Sequence, residues 1–354
     1  MKRTGQFLIY GATGFTGKLT SRIARDRGLK PILAGRNEAK LEAIANALGL
    51  RYRVFALSQS AAIDAALAEV DAVLHIAGPF SATSRPMADA CLRTGTHYLD
   101  ITGEIDVFET LARRDAEART AGIMLLPGVG FDVVPSDCLA LHLKHQLPDA
   151  IDLKLYLAGS NALSRGTAKS MLEAVALGTR VRRDGRIIRL SPPPRETACD
   201  FGAGPVPTIV IPWGDVSTAY YSTKIPNIEV RMAATPPLRA GARMPGFVRK
   251  IVGTSFVQSL LKARIDRMPE GPDAEVLRTG QSSLVGVVTN ANGQTARARL
   301  TTSQGYLLTA QTGTEIVRRV VAGEATPGFQ TPSLMFGSDF ILQFDGTKRE
   351  ALKA

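Results

Sequence analysis

The sequence predicts an α/β fold for the first third of the chain, built as a doubly wound parallel sheet. Short runs of strand-forming residues alternate there with helical patterns, and the first run enters a helix through a glycine-rich turn. The predicted strands cover residues 7–10, 30–34, 52–56, 72–76 and 123–126, with a further strand beginning at His97. The predicted helices between them cover residues 18–25, 38–48, 61–68 and 84–94. In such a sheet, ligands bind beyond the carboxyl ends of the strands.

The turn after the first strand has the sequence GATGFTG. Gly11 permits a tight turn, Gly14 lets the backbone approach a pyrophosphate, and Gly17 lets the helix pack closely on the sheet. The N–H groups and the positive dipole end of the helix would hold the phosphates. Glycine turns also occur without ligands, so the order strand, turn, helix carries the prediction of a Rossmann-type dinucleotide site. Its cofactor-binding residues are predicted to be Gly11, Thr13, Gly14, Phe15, Thr16 and Gly17.

The end of the second strand predicts which dinucleotide binds. An acid about 20 residues after the glycine motif takes the ribose hydroxyls of NAD, whereas an arginine accommodates the 2′-phosphate of NADP. Arg36 stands here, followed by Asn37, and no acid lies between the start of the second strand at residue 30 and Glu38. The expected cofactor is therefore NADP(H), with Arg36, Asn37 and also Lys40 near the phosphate. The alternative is a solvated Arg36 that opens the next helix.

Two later strand ends supply further candidates. The loop Ala77, Gly78, Pro79 and Phe80 is expected over the cofactor, together with Gly103, while His75 is expected to be a packed core residue. The candidate proton carriers are Asp100, Glu104 and Asp132. Each carboxylate could instead cap a helix, Asp132 in particular because Pro135 and Ser136 open the next one.

Composition limits the class of protein, its compartment and its partners. The chain has 354 residues, 45% hydrophobic and 21% charged, which suits a soluble protein of two domains. No apolar stretch is long enough to span a membrane, and the N-terminus enters a strand too early for a signal peptide. The three cysteines lack metal-ligand spacing, so neither a metal site nor a disulfide framework is expected, and the cytoplasm is the predicted compartment. A net charge of +11 favours an anionic partner or surface, but no nucleic-acid motif is present.

Several motifs together resemble the saccharopine dehydrogenase-like oxidoreductases, and within them the trans-acting enoyl reductase branch. In the first third these are GATGFTG, AGRN, AGPF, HYLDITGE and PGVGFDVVPSD. Later stretches that agree are SRGTAKSMLEA, PWGDVSTAYYSTKIPNIEV, GYLLTA and TPSLMFGSDFIL. The resemblance spans nearly the whole chain and defines the superfamily better than the substrate.

The resemblance implies a second α+β domain with a mixed sheet, followed by a C-terminal segment that returns to the first domain. The expected limits are 1–130 for the nucleotide domain, 131–330 for the second domain and 331–354 for the returning segment. The sequence allows this, with predicted strands at 151–157, 209–212, 227–233, 282–289, 295–302 and 306–310 and a single helix at 167–177 among them. An extended sheet of this kind would also permit a homodimer, which spacing alone does not predict.

The resemblance also indicates a substrate side. Ser164, Arg165, Gly166 and Thr167 resemble a substrate-side loop, where the start of a helix could hold a carboxylate or thioester oxygen. The alternative is a helix N-cap with a solvent-facing arginine. Trp213 resembles part of another family segment and is expected either to line the substrate pocket or to pack in the core.

Two further stretches are open to more than one interpretation. Tyr220 and Lys224 have the YxxxK spacing of short-chain dehydrogenases, but the surrounding residues favour a strand, so catalytic use is not expected. Residues 239–270 form a basic amphipathic insertion, in which apolar residues alternate with arginine and lysine. Such a segment lies on a membrane surface, covers a lipid groove, or packs its apolar face into the core.

The leading functional prediction is an NADPH-dependent reductase of an activated double bond in an acyl, polyketide or lipid-like substrate. The first alternative is imine reduction on an amino acid, as saccharopine dehydrogenases perform, for which Arg165 and Lys169 could bind carboxylates. The second is a protein without catalytic activity that binds NADP(H) and a lipid surface or another partner.

Overall fold

The computed structural model describes residues 4–159, 163–191 and 194–353. Residues 1–3 and 354, which the expected domain limits include, lie outside the described residues. The chain divides into two compact units. The first comprises Met1–Thr102, Asp106–Asp132 and Tyr306–Met335, and the second comprises Gly103–Ile105, Val133–Gly305 and Phe336–Ala354.

The first unit is a parallel sheet with helices between its strands. Along the chain its elements are β1 (Phe7–Tyr10), α1 (Phe15–Asp26), β2 (Ile32–Gly35), α2 (Glu38–Leu48), β3 (Tyr52–Val54), α3 (Ser60–Leu67), β4 (Ala72–His75), α4 (Phe80–Thr94), β5 (His97–Asp100), α5 (Ile105–Ala112), α6 (Asp115–Thr120) and β6 (Met124–Leu126). Near the C-terminus the chain returns with α14 (Gly305–Val321), β15 (Gly328–Phe329) and α15 (Pro332–Phe336). The strand order is β15-β6-β5-β4-β1-β2-β3, and neighbouring strands are parallel throughout.

Local chemistry sets the helix ends of this unit. Asn37 caps α2 by accepting a hydrogen bond from the Lys40 N–H at 3.0 Å. Gly49 and Gly95 end α2 and α4 in the left-handed conformation, which costs glycine nothing. Because the strands are parallel and buried, their carboxyl ends meet at one edge of the sheet, where the predicted nucleotide site lies.

The second unit is a mixed sheet covered by helices. Its elements are α7 (Val134–Gln146), β7 (Ala150–Ala158), α8 (Arg165–Leu177), β8 (Arg180–Arg183), β9 (Arg186–Arg189), β10 (Thr197–Asp200), β11 (Pro205–Val210), α9 (Asp215–Thr223), β12 (Asn227–Ala233), α10 (Pro236–Arg243), α11 (Gly246–Val252), α12 (Ser255–Ile265), α13 (Ala274–Thr279), β13 (Gln281–Asn290), β14 (Thr295–Ser303), a short 3₁₀ helix (Phe340–Gln343) and β16 (Lys348–Leu352). The main strand order is β10-β11-β12-β7-β13-β14-β16, in which only β12 and β7 run parallel among the described residues.

The division of the chain differs from the expected one near the C-terminus. The segment that returns to the first unit is Tyr306–Met335, whereas the chain from Phe336 onward belongs to the second unit. The reason is strand pairing: β15 extends the first sheet beside β6, and β16 pairs with β14 in the second. The expected return of residues 331–354 therefore holds only for the first few of them.

Three predictions about the second half are wrong. Residues 306–310 begin the long helix α14 rather than a strand, Tyr220 lies on the helix α9 rather than on a strand, and α8 is not the single helix of the region. Short windows rich in strand formers misled in the first two cases. Over its full length α14 buries Leu308, Thr312, Ile316 and Val320 on one face, a period that five residues cannot reveal.

Among the described residues, no helix is both long enough and apolar enough to cross a bilayer.

Candidate functional site

The glycine turn has three glycines with three different environments. Gly11 has a φ of +91°, and a Cβ added there would lie 2.9 Å from the Ala77 nitrogen. A Cβ at Gly17 would lie 2.2 Å from the Gly11 carbonyl oxygen and 2.8 Å from the Ala12 Cα. A Cβ at Gly14 would meet nothing closer than 3.5 Å. Gly11 and Gly17 are thus required by the fold, while Gly14 leaves open space at the helix start.

That open space suits a phosphate group. Gly14 is the N-cap of α1 and provides no side-chain acceptor for the first N–H groups of the helix. A bound pyrophosphate would supply the missing acceptors and would also interact favourably with the helix dipole. Thr13, Phe15 and Thr16, the remaining predicted cofactor-binding residues, are half-buried in the same turn.

Arg36 lies directly after β2, exposed, and makes no hydrogen bond or ion pair with the part of the chain that the structure describes. Its positive charge reaches the end of β1: burial raises the pKa of the Tyr10 phenol, and Arg36 partly offsets that rise. An unpaired guanidinium beside the strand ends fits a 2′-phosphate. Asn37 contributes differently, since its side-chain oxygen already caps α2.

The loop Ala77–Phe80 is held from beneath by a chain of hydrogen bonds. The Thr83 hydroxyl donates to the carbonyl oxygens of Ala77 at 2.6 Å and Pro79 at 3.1 Å. His75 Nε2 lies 3.1 Å from the Thr83 oxygen, and because that hydroxyl donates elsewhere, Nε2 carries the proton and donates to it. His75 is fully buried and packs edge-on against Phe80, with ring centroids 5.4 Å apart. The expectation of a core histidine fits this position.

Asp100 is placed as a structural carboxylate. It is fully buried and accepts hydrogen bonds from the Tyr98 hydroxyl at 2.6 Å, the Thr102 N–H at 2.9 Å and the Gly128 N–H at 3.0 Å. These bonds join the loop after β5 to the loop after β6. Both oxygens of the Asp100 carboxyl thus already accept hydrogen bonds from neighbouring loops and Tyr98. Of the three proposed proton carriers, Asp100 fits that role least.

Glu104 is the candidate that meets the predicted substrate side. It is half-buried, belongs to the second unit, and accepts a hydrogen bond from the Ser170 hydroxyl of α8 at 3.1 Å. The start of the same helix carries the predicted substrate residues, where the Ser164 side chain caps α8 by accepting from the Thr167 N–H at 3.2 Å. Ser164 thus has the N-cap geometry that the sequence left open, and Gly166 beside it is exposed.

Two cations of α8 are already committed to other groups. Arg165 Nε donates to the Met268 carbonyl oxygen at 2.6 Å, and the Lys169 ammonium forms an ion pair with Asp266, also at 2.6 Å. Both partners lie just after α12. These cations therefore hold the following loop and are less available for the carboxylates of an amino-acid substrate.

The remaining predicted site residues are placed as follows. Asp132 is half-buried in the first unit, and Val133, not Asp132, is the N-cap of α7. Gly103 precedes Glu104 in the second unit. Trp213 is half-buried between β11 and α9. Lys224 ends α9 in the left-handed conformation, and its Nζ lies 5.7 Å from the centre of the Tyr220 ring.

Sequence reasoning missed two residues because it assigned residues 306–310 to a strand. The Tyr306 ring packs edge-on against Phe15 of the glycine turn, with centroids 5.3 Å apart. The Thr309 hydroxyl accepts a hydrogen bond from the Phe131 N–H at 2.9 Å. Both residues belong to α14, so this helix borders the predicted nucleotide site. The helical spacing of apolar residues over the whole of α14 was the signal that could have identified this helix.

Comparison with known families agrees with this geometry. Residues 7–126 match the family model described as the saccharopine dehydrogenase NADP binding domain. The match covers the sheet from β1 to β6, including the glycine turn and Arg36. Residues 7–126 are therefore similar to an NADP-binding domain, which agrees with the cofactor that Arg36 favours.

Curated relatives are similar over a larger region at lower identity. A trans-acting enoyl reductase of Mycobacterium leprae strain TN is 35% identical over 144 residues, covering 38% of this chain and 34% of the relative. A trans-acting enoyl reductase of Mycobacterium tuberculosis strain H37Rv is 29% identical over 219 residues, covering 58% and 52% of the two chains. The similar region thus spans between about a third and a half of the length of these relatives.

The fold as a whole is similar to a solved structure. The apo, histidine-tagged saccharopine dehydrogenase (L-Glu forming) of Saccharomyces cerevisiae superposes with a TM-score of 0.66 at 13% identity, covering 98% of this chain and 100% of that one. The TM-score establishes that the two chains share a fold, whereas identity this low leaves the reaction open.

Proposed function

We propose that this chain is an NADPH-dependent oxidoreductase that reduces an activated carbon–carbon double bond in an acyl, polyketide or other lipid-like substrate. The observation that carries the cofactor part is the first unit, where Gly14 leaves the start of α1 open and Arg36 has no ion-pair partner among the described residues. The reaction class is supported by the relatives named trans-acting enoyl reductases. Because Arg165 and Lys169 are committed to the loop after α12, imine reduction on a polycarboxylate substrate is the weaker reading.

The chain's own residues have distinct roles in this proposal. The N–H groups at the start of α1 bind the pyrophosphate, and Arg36 binds the 2′-phosphate. When bound, NADPH supplies the hydride that adds to one carbon of the double bond. Glu104 gives a proton to the other carbon, as a general acid. Ser170 donates a hydrogen bond to Glu104 Oε1 and so orients the carboxyl group.

The reaction is tested by mixing the protein and NADPH with a panel of enoyl thioesters of increasing chain length. We expect NADPH oxidation and a product heavier by two hydrogens, with one deuterium incorporated when the cofactor is deuterated at the transferred position. Oxidation of NADPH with 2-oxoglutarate and lysine, and with none of the enoyl thioesters, would contradict the proposal in favour of imine reduction.

Arg36→Ala is expected to weaken NADPH binding about tenfold or more and to leave NADH binding nearly unchanged, because a charge-assisted contact with the 2′-phosphate contributes about 1.5–3 kcal/mol. Titration with each nucleotide, followed by nicotinamide fluorescence, measures both affinities. Arg22→Ala is the matched control, since Arg22 is an exposed arginine of α1. If both variants lost the same NADPH affinity, the loss would come from the overall positive charge and not from a contact between Arg36 and the 2′-phosphate.

Glu104→Gln is expected to lower kcat about a hundredfold or more, the usual contribution of a general acid, while NADPH affinity stays constant. Ser170→Ala should cause a smaller loss, since it removes only the orienting hydrogen bond. Asp106→Asn, at an exposed acid two residues away, is the control. Full activity of Glu104→Gln would return the proton-carrying role to Asp132.

A further inference from the structure

The segment 239–270 presents several large apolar side chains to solvent. Four of them form what we call the apolar ridge: Phe247 and Ile251 on α11, 69% and 55% exposed, and Phe256 and Leu260 on α12, 79% and 62% exposed. Each pair is spaced by four residues and so lies on one face of its helix. Of the three alternatives that the sequence left open, packing of this face into the core is wrong for these four residues.

Exposure this high means that the side chains protrude and do not line a groove. Single exposed apolar residues are ordinary, whereas four large ones on two contacting helices mark an interaction surface. A protruding apolar side chain is easily buried by a fluid lipid phase, since lipid needs no matching cavity. The ridge therefore favours a bilayer over a folded protein as its partner.

The charges around the ridge are positive. Lys250, Arg264 and Arg267 are exposed and form no ion pair with any residue that the structure describes. The acid nearest to them in sequence, Asp266, is already paired with Lys169. Basic side chains beside protruding apolar ones are the pattern of helices that lie in the interface of an anionic membrane.

Two arginines at the base of the ridge converge on a single point, which we call the anion cradle. A Cβ added to Gly178, the residue that ends α8, would lie 2.6 Å from Arg249 Nη1, 2.9 Å from Arg189 Nε and 3.0 Å from Arg189 Nη2. Both guanidinium groups thus pack against Gly178 and lie close to each other, and neither forms an ion pair with a described carboxylate. Like charges placed this close are stabilised when an anion lies between them.

Arg249 is the better anchored of the two. It is only 7% exposed, and its Nη2 donates to the carbonyl oxygens of Gly241 at 3.3 Å and Ala242 at 2.7 Å. Its Nε has no partner among the described residues, and Nη1 points at the cradle. Burial and the neighbouring charge of Arg189 lower the pKa of Arg249, so the pair is electrostatically unfavourable without a counter-charge.

We propose that the apolar ridge inserts into an anionic phospholipid bilayer and that Arg189 and Arg249 bind the phosphate of one lipid headgroup. The planar forks of two arginines match the oxygens of a phosphate. Arg249 and the first half of the ridge belong to the same helix, α11. Membrane binding of this kind goes beyond the proposed reduction and does not depend on it.

Flotation of the whole chain with vesicles tests the proposal. We expect the chain to float with phosphatidylcholine vesicles that contain phosphatidylglycerol and to stay behind with phosphatidylcholine alone. Phe256→Asp and Leu260→Asp should each abolish flotation with the anionic vesicles. Leu334→Asp is the matched control, because Leu334 is also exposed, at 48%, but lies on α15 in the other unit. No flotation of the unaltered chain, or undiminished flotation of both ridge variants, would overturn the proposal.

The cradle is tested by Arg189→Gln. Loss of one headgroup contact should weaken binding to the anionic vesicles about tenfold, equivalent to about 1.4 kcal/mol. Arg186→Gln removes the same charge from the same strand but away from Gly178, and should weaken binding much less. If the two variants lost vesicle binding equally, only a general attraction between positive charge and anionic lipid would remain, and the phosphate site would be overturned. Arg189-dependent binding of a phosphopantetheine-bearing carrier protein, without vesicle binding, would assign the surface to a protein instead.

Discussion

Gly17→Ala is expected to unfold the nucleotide-binding unit, whereas Gly14→Ala is expected to leave it folded and to weaken NADPH binding. The added Cβ of Gly17→Ala would lie 2.2 Å from the Gly11 carbonyl oxygen and 2.8 Å from the Ala12 Cα. Both are backbone atoms, so no side chain can rotate away. We expect a loss of about 4 kcal/mol or more in the free energy of unfolding, at the upper end for single substitutions.

Gly14→Ala changes the same residue type in the same turn with a different result. Its backbone has a φ of −77°, which alanine adopts without strain, and its Cβ would meet nothing closer than 3.5 Å. The methyl group would, however, occupy the space through which a pyrophosphate approaches the helix. We expect near-normal stability and NADPH binding weakened about tenfold or more, at least about 1.4 kcal/mol.

Urea unfolding followed by circular dichroism, together with nicotinamide fluorescence titration, separates these two effects. The cofactor assignment would fail if Gly14→Ala bound NADPH normally. A stable Gly17→Ala variant would show that α1 can shift on the sheet, contrary to the close approach seen at Gly11.

The parallel sheet could be predicted from sequence because its signals are local. The pattern of α2 gives its limits, Glu38–Leu48, without error, since an asparagine cap precedes it and a glycine follows it. The strand β12, Asn227–Ala233, was also predicted at its observed limits. In both cases the chain within a dozen residues contains the information.

The direction of an amphipathic face is not local information. The sequence shows that Phe247, Ile251, Phe256 and Leu260 alternate with basic residues, but whether such a face meets core or solvent depends on which elements pack nearby. Two shorter helices, α11 and α12, replace a continuous one here, and their apolar side chains point outward. Only the arrangement of the second unit could decide this.

The roles of the candidate carboxylates were equally hidden. Asp100 ends β5 and Glu104 lies four residues later, and nothing in this spacing distinguishes their roles. The difference arises from partners remote in sequence: the Gly128 N–H donates a hydrogen bond to Asp100, while the Ser170 hydroxyl donates one to Glu104. Residue type and strand position predicted where these carboxylates lie, whereas the contacts that distinguish them come from segments distant in sequence.

Acid is expected to destabilise the first unit through one residue, His75. Complete burial lowers the pKa of His75 from 6.5 to about 3 in the folded state. Above pH 6.5 the side chain is neutral in both states, so it contributes no pH dependence. Below pH 6.5 the unfolded chain binds a proton that the folded chain excludes, and stability falls as pH falls toward 3.

The size of this effect follows from the shift. Each pKa unit corresponds to about 1.4 kcal/mol, so the free energy of unfolding falls by up to about that amount for each pH unit. By pH 3 the total loss in the free energy of unfolding is on the order of 5 kcal/mol. No described group offers His75 Nδ1 a hydrogen bond, and the surrounding rings of Tyr10, Phe80 and Tyr98 offer no counter-charge to the protonated form.

His75→Gln isolates the contribution. Its amide can still donate toward the Thr83 hydroxyl, which keeps the loop Ala77–Phe80 supported, but it does not titrate. Urea unfolding between pH 7 and pH 4 should show a steep loss of stability in the unaltered chain and a flatter profile in the variant. His142→Gln, at a histidine of α7 in the other unit, should leave the slope of the first unit unchanged. If His75→Gln kept the full slope, the histidine would be charged in the folded state, and the packing around β4 would have to open to admit water.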